Sequence, residues 1–136
     1  TIVLSGGENL EPVPIEAKIC ESEFVENAVV LGQDKKYLGA LIVLNRKNVE
    51  EYLTREQIPY LVDKLSSMKE VKELVEASIN EIISAKHGFK SYENISKIII
   101  VPKSFEVGVE LSAKQELKRF EINRLYEQEI RQLFAS

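Results

Sequence analysis

The sequence predicts an α+β domain, with a small mixed sheet carrying one β-hairpin and helices flanking it. Three observations lead there. Two near-continuous apolar runs, residues 25–31 and 37–44, are separated by the polar stretch Gly32-Gln33-Asp34-Lys35-Lys36. Five residues can turn an antiparallel hairpin but cannot carry a parallel crossover. A third β-branched run, residues 95–101, ends at Pro102, and two stretches between and after the strands show helical spacing. The 136 residues, 44% hydrophobic and 29% charged, suit one domain with its own core.

The elements follow in order. Thr1 to Leu4 is β-branched and apolar, and Ser5-Gly6-Gly7 breaks it, so a short strand leads into a tight turn. Pro12 and Pro14 stiffen the exit, and Pro14 fits the first turn of a helix, where a missing N–H costs little. Ile15, Ile19 and Cys20 recur at helical spacing to about Ser22, which places Cys20 in the core. The hairpin comes next. The middle reads as helical: Thr54 with Gln57 and Ser67 with Glu70 have the spacing of capping boxes, although Pro59 removes a donor within the first. Met68, Val71, Val75, Ile79 and Ile82 form one helical face, and Lys86-His87-Gly88 reads as its stop. The last strand precedes a loop over residues 104–109. A closing helix, from near Ser112 or Leu117, turns Ile122, Tyr126, Ile130 and Leu133 inward. The order is β-α-β-β-α-α-β-α.

Charge and composition exclude several functions. Eighteen basic and 22 acidic side chains give a net charge of −4. The imbalance is confined to residues 1–45, with three basic and seven acidic side chains. No concentrated positive field marks a nucleic-acid footprint, and the scattered tyrosines make no stacking platform for bases. One cysteine and one histidine cannot build a thiolate or imidazole metal centre. No apolar run approaches the roughly 20 residues a membrane helix needs. The chain opens at Thr1 without a Met or a signal-like start, which reads as a fragment or a processed chain.

Three stretches could carry chemistry. In Ser5-Gly6-Gly7-Glu8-Asn9, adjacent glycines let a ligand approach the backbone, with N–H groups free for an anion or carbonyl; the plainer reading is an ordinary turn. In residues 110–119, a capping signal is mixed with Lys114, Lys118 and Arg119. It reads either as a loop presenting a cation to phosphate or carboxylate, or as a solvated helix start. His87, beside Gly88, reads as a helix-end residue rather than a catalyst.

The string TIVLSGGENLEPVPIE at Thr1 to Glu16 resembles a segment of the adenylate-forming (AMP-binding) enzymes, the long-chain fatty acyl-CoA synthetase branch in particular. That pattern runs IVL-S-x-G-E-N, then Ile or Val, then x-P-x-x-IE. Residues 27–43, His87 to Glu93 and 105–119 follow in matching order, so the resemblance covers essentially all of 1–136. It implies the small mobile C-terminal domain of a long-chain fatty acid–CoA ligase, cut at its hinge. In that family a large N-terminal domain of the same polypeptide binds ATP and the long-chain fatty acid. The small domain swings between a pose for adenylation and one for thioester formation with coenzyme A. Mg2+ would be bound mainly by the large domain. The isolated domain is not expected to be active. The resemblance further implies a cytoplasmic enzyme whose large domain allows peripheral membrane contact.

Residue by residue, Gly7 matches the family glycine that approaches the pantetheine arm of coenzyme A, and Glu8 and Asn9 match its neighbours. The closing motif departs from the family form ELTPTxKxKR. Glu110-Leu111 match, Ser112 replaces Thr, Ala113 replaces Pro, and Lys114 replaces the second Thr. Glu116 stands where the family has its catalytic lysine, and Lys118-Arg119 match again. A cation there bridges carboxylate and phosphate, so Glu116 inverts the local charge. The expectation is that Lys118 or Lys114 takes over as the catalytic cation. The alternatives are a catalytically impaired regulatory or interaction module of the same fold, and a ligase that loads fatty acid onto a carrier protein. The acidic N-terminal third does not favour an acidic carrier.

Overall fold

A computed structural model of the chain describes residues 1–135. The α+β class holds. Strands β1 (Ile2–Val3) and β2 (Asn9–Leu10) pair antiparallel around the glycine turn. Helix α1 (Pro12–Ile19) follows, then β3 (Val25–Leu31) and β4 (Leu38–Leu44), α2 (Arg46–Arg55), a 3-10 turn at Val62–Ser67, α3 (Lys69–Ile82), two further 3-10 turns, β5 (Ile95–Ile100), α4 (Arg119–Leu125) and α5 (Glu127–Leu133). The main sheet has the order β3-β4-β5. β3 and β4 form the expected antiparallel hairpin. β5 lies parallel to β4, reached by the long crossover through α2 and α3.

Every residue of β4 is buried, because both faces of the sheet are covered. On one face Ala28, Val30, Ala40 and Ile42 join a core with Ile15 and Ile19 of α1, Val49 and Leu53 of α2, and Val71, Val75 and Ile79 of α3. On the other, Val29, Leu41 and Val43 meet Val101, Phe105, Leu111 and Ile122, with Tyr126 and Ile130 packed alongside. Strand alternation therefore divides the hairpin between two cores. Pro12 stands at the first position of α1, as its missing N–H permits.

Several local expectations are corrected. Neither capping box forms. Helix α2 starts earlier, where the Asn45 side chain accepts from Asn48 N at 3.2 Å, and Thr54 falls in its last turn. Met68, not Ser67, is the N-cap of α3, and Ser67 instead closes the 3-10 turn by donating to Lys64 O. Gly88 does take a positive φ of 87°, but it ends a 3-10 turn, since α3 has already stopped at Ile82. Cys20 is exposed rather than core, for it follows the last residue of α1. The closing helix begins only at Arg119, because residues 111–117 are drawn into a loop of their own, and it breaks at Tyr126.

Gly39 shows how tightly α5 sits on the sheet. A Cβ there would stand 2.6 Å from Cγ and Cδ2 of Leu133, itself 1% exposed. We expect Leu133→Ala to lower unfolding free energy by about 2–5 kcal/mol. Gly39→Ala should cost about 1–3 kcal/mol by overpacking. In denaturant titrations the double variant should be clearly less destabilised than the sum of the two.

Candidate functional site

The glycine turn is built by its own backbone. Leu4 N donates to Glu8 O at 3.0 Å and Gly7 N to Leu4 O at 2.9 Å. Gly7 has φ 94°, a conformation costly for any side chain, and a Cβ placed there would meet nothing within 4 Å. The face above Gly7 is therefore open. Its N–H, however, is spent inside the turn, which corrects the idea that both glycine amides are free. The Glu8 carboxylate folds back over Gly6, and Glu8 and Asn9 are both exposed.

The turn is docked on the β3–β4 connection. Ser5 N donates to Lys35 O at 2.8 Å, Asp34 N donates to Val3 O at 2.9 Å, and the Gln33 side chain accepts from Val3 N at 3.0 Å. Beside it lies a cavity of about 370 Å³ lined by Ser5, Asp34, Lys35, Lys36, Tyr37, Lys97 and Phe134. The Tyr37 and Phe134 rings are 5.5 Å apart. The Lys35 ammonium lies 5.5 Å from the centre of the Phe134 ring, and that of Lys97 lies 5.7 Å from the centre of Tyr37. These residues come from the hairpin turn, the sheet edge and the C-terminus. No local sequence signal joins them.

The closing segment is a looped structure anchored at both ends. At its start, Glu110 is buried and accepts from Glu106 N at 2.9 Å and from the Tyr126 hydroxyl at 2.6 Å. Leu111 and Leu117 pair as an antiparallel bridge, and Ser112 N donates to Glu116 O at 2.8 Å. The Ser112 hydroxyl accepts from Lys114 N and Glu116 N, so its capping signal serves this turn rather than a helix. Gln115 takes a positive φ of 63° at the bend. Lys114 and Glu116 are exposed at the tip, while Lys118 is half-buried at the N-cap of α4 with its N–H donating to Glu110 O. Among the described residues neither lysine makes an ion pair. Lys118 does lie close enough to Glu121 to help hold that carboxyl below its ordinary range, after the larger effect of Arg124.

The other end is held by a contact the sequence did not announce. Arg119 forks onto Glu16: Nη1 donates to Oε2 at 2.9 Å and Nη2 to Oε1. The same Oε2 accepts from Val30 N at 2.8 Å. The Glu16 side chain is only 9% exposed and that of Arg119 37%. Both residues belong to matched ends of the family-like strings, IE and KR, which was the only available signal. A cavity of about 320 Å³ separates α1 and the edge of β3 from Gln115, Glu116 and Leu117. His87 is exposed on a 3-10 turn away from these contacts. Among the described residues no group of three or more His, Cys, Asp or Glu could hold a metal ion.

The open glycine turn and the lysine-bearing loop are the two segments that the sequence resemblance to adenylate-forming enzymes singled out. Comparison with known proteins agrees: the family of AMP-binding enzyme C-terminal domains matches residues 1–136, and the chain belongs to it. A chloroplast long-chain-fatty-acid–[acyl-carrier-protein] ligase of Arabidopsis thaliana is 30% identical over 99% of this chain and 17% of its own length. A long-chain-fatty-acid–CoA ligase of Gallus gallus is 28% identical over 98% of this chain and 20% of its own. The adenylation domain of a carboxylate reductase from Mycobacterium chelonae shares the fold, with TM-score 0.80 at 23% identity, over 99% of this chain and 19% of that one. The chain thus spans about a fifth of the length of the relatives it matches.

Burial first, and then the Glu110 carboxylate, push the Tyr126 phenol up from its ordinary value. The folded pKa is raised, so this contact contributes fully below about pH 10, the unfolded value, and is lost as pH rises beyond it. We expect stability measured by chemical denaturation to fall above about pH 10, and Tyr126→Phe to flatten that fall.

Proposed function

We propose that this chain is the mobile small domain of an ATP-dependent long-chain fatty acid–CoA ligase. In the first step the fatty acid carboxylate attacks ATP to give the acyl-adenylate and pyrophosphate. In the second the thiolate of coenzyme A displaces AMP to give the thioester. The long-chain substrate is supported by the Arabidopsis and Gallus relatives. On this reading ATP, Mg2+ and the acyl chain belong to the larger N-terminal domain of the same polypeptide. The cytoplasmic placement, with any membrane contact made by that larger domain, is part of the same proposal.

The observation that carries the reading is the open Gly7 turn beside the shelf of Lys35, Lys36, Tyr37, Lys97 and Phe134, where three ammonium groups outnumber the one carboxylate, Asp34. A thin pantetheine arm can pass over Gly7 because no side chain rises there, with Glu8 and Asn9 exposed next to it. A nucleotide bears phosphates for ammonium groups and a flat base for rings. These residues therefore fit coenzyme A, whose bound form supplies the thiol for the second step. We expect Lys35→Ala and Lys97→Ala to raise KM for coenzyme A by about tenfold each, the loss of one charge-assisted hydrogen bond. KM for ATP should not move in the same steady-state assays.

For adenylation the loop offers Lys114 and Lys118 in place of Glu116. Lys114 is the better placed, being at the exposed tip, whereas Lys118 is half-buried and near Glu121. We expect Lys114→Ala to slow acyl-adenylate formation about 100-fold, the scale for removing one group that stabilises developing charge. Thioester formation from supplied acyl-adenylate should stay near the parent rate. Lys118→Ala is the parallel variant, and an equal loss in both half-reactions would argue against either lysine as the cation. A gain from Glu116→Lys would show that the family geometry is retained. Full-length enzyme that makes no thioester from ATP, palmitate and coenzyme A would favour the regulatory-module reading. The Arabidopsis relative favours a carrier-protein acceptor as the second reading, and offering both acceptors in one assay separates them.

A further inference from the structure

We propose that Glu16 and Arg119 are positioning residues, a clamp that sets where the closing loop holds its cation. This rests on the adenylation role proposed for that loop. Arg119 is not itself a free cation, since its guanidinium is neutralised by the Glu16 fork. What the fork supplies is orientation: two parallel N–H bonds fix a plane, which a point charge cannot do.

The acceptor side is rigid. Glu16 lies within α1 and is buried, and its Oε2 is also held by Val30 N of the sheet. The loop side is not. Between Leu111 and Leu117 the chain is exposed at residues 113–116 and is held by the Ser112 hydroxyl and a few main-chain bonds. A segment with so few buried contacts opens easily unless its ends are fixed. Glu110 fixes the first end through Glu106 N and Tyr126, and the Glu16–Arg119 pair fixes the second. Lys118 is covalently adjacent to the clamp, and Lys114 is five residues before it. The clamp also ties the loop to the helix that starts two residues after β2, the strand that leaves the glycine turn.

The test uses the full-length enzyme with Arg119→Lys, which keeps the charge but loses the fork, and Glu16→Gln, which keeps the shape but loses the charge. Fatty-acid-dependent ATP–pyrophosphate exchange reads adenylation, and supplied acyl-adenylate with coenzyme A reads the second step. Amide hydrogen–deuterium exchange reads the loop. We expect kcat for exchange to fall about 100-fold, the scale for misplacing a group by an ångström, with KM for ATP and fatty acid unchanged. Thioester formation should hold, and amide exchange should quicken over residues 111–119 while β3 and β4 stay protected. Unchanged pyrophosphate exchange overturns the proposal. So does a parallel fall in both half-reactions with faster amide exchange throughout the sheet, which marks a merely structural pair. Should the parent enzyme show no pyrophosphate exchange, the proposed function fails by itself, and the amide readout still decides the clamp: loosening confined to 111–119 upholds it, and unchanged protection overturns it.

Discussion

One buried carboxylate joins the layers of this domain. Glu16 projects from α1, which covers one face of the sheet, and it meets both the main chain of β3 and the guanidinium that opens α4. β3 is the outer strand in the order β3-β4-β5, so its outward N–H groups need partners. Glu16 supplies one, and the same oxygen then receives Arg119 from the layer on the opposite face. A carboxylate so deeply placed is tolerable only when its lone pairs are filled. Here they are filled from two elements at once, and the closing segment is thereby fastened around the sheet edge.

The rest of the packing follows from a sheet buried on both sides. β4 has no exposed residue, and its small members matter as much as its large ones. Gly39 leaves the space that Leu133 occupies, which lets α5 lie directly on the backbone of β4. The C-terminus in turn brings Phe134 to Tyr37 and the carbonyl of Ala135 to Lys97 at 2.9 Å. The shelf beside the glycine turn is thus a by-product of the way the last helix docks.

The two candidate surfaces stand in different surroundings. The glycine turn is bonded to the β3–β4 connection, while the lysine loop leads into α4 and faces α1 across a cavity. On the proposed function, one rigid body carrying both would exchange one for the other by rotation, without remaking either loop.

The hairpin, the third strand and the apolar face of α3 were legible because each declares itself within a short window, by run length or by spacing of three and four, whereas the parallel pairing of β5 with β4 was not. Gly7 and Gly88 were legible as turn residues for the same local reason, since only glycine takes those φ values cheaply. Capping was misread at Thr54 and Ser67, where the right residue spacing stood in the wrong backbone. Of the two starts offered for the closing helix, the one near Ser112 fails because Leu111 and Leu117 pair across a bend, while the inward stripe from Ile122 holds. Glu16 with Arg119, 103 residues apart, and Tyr37 with Phe134 were not legible as pairs at all. By itself the sequence determined the elements and the family, because those depend on near-neighbour pattern. The tertiary structure alone decided that Arg119 is neutralised, by Glu16, because a charge is paired by distance in space and not along the chain.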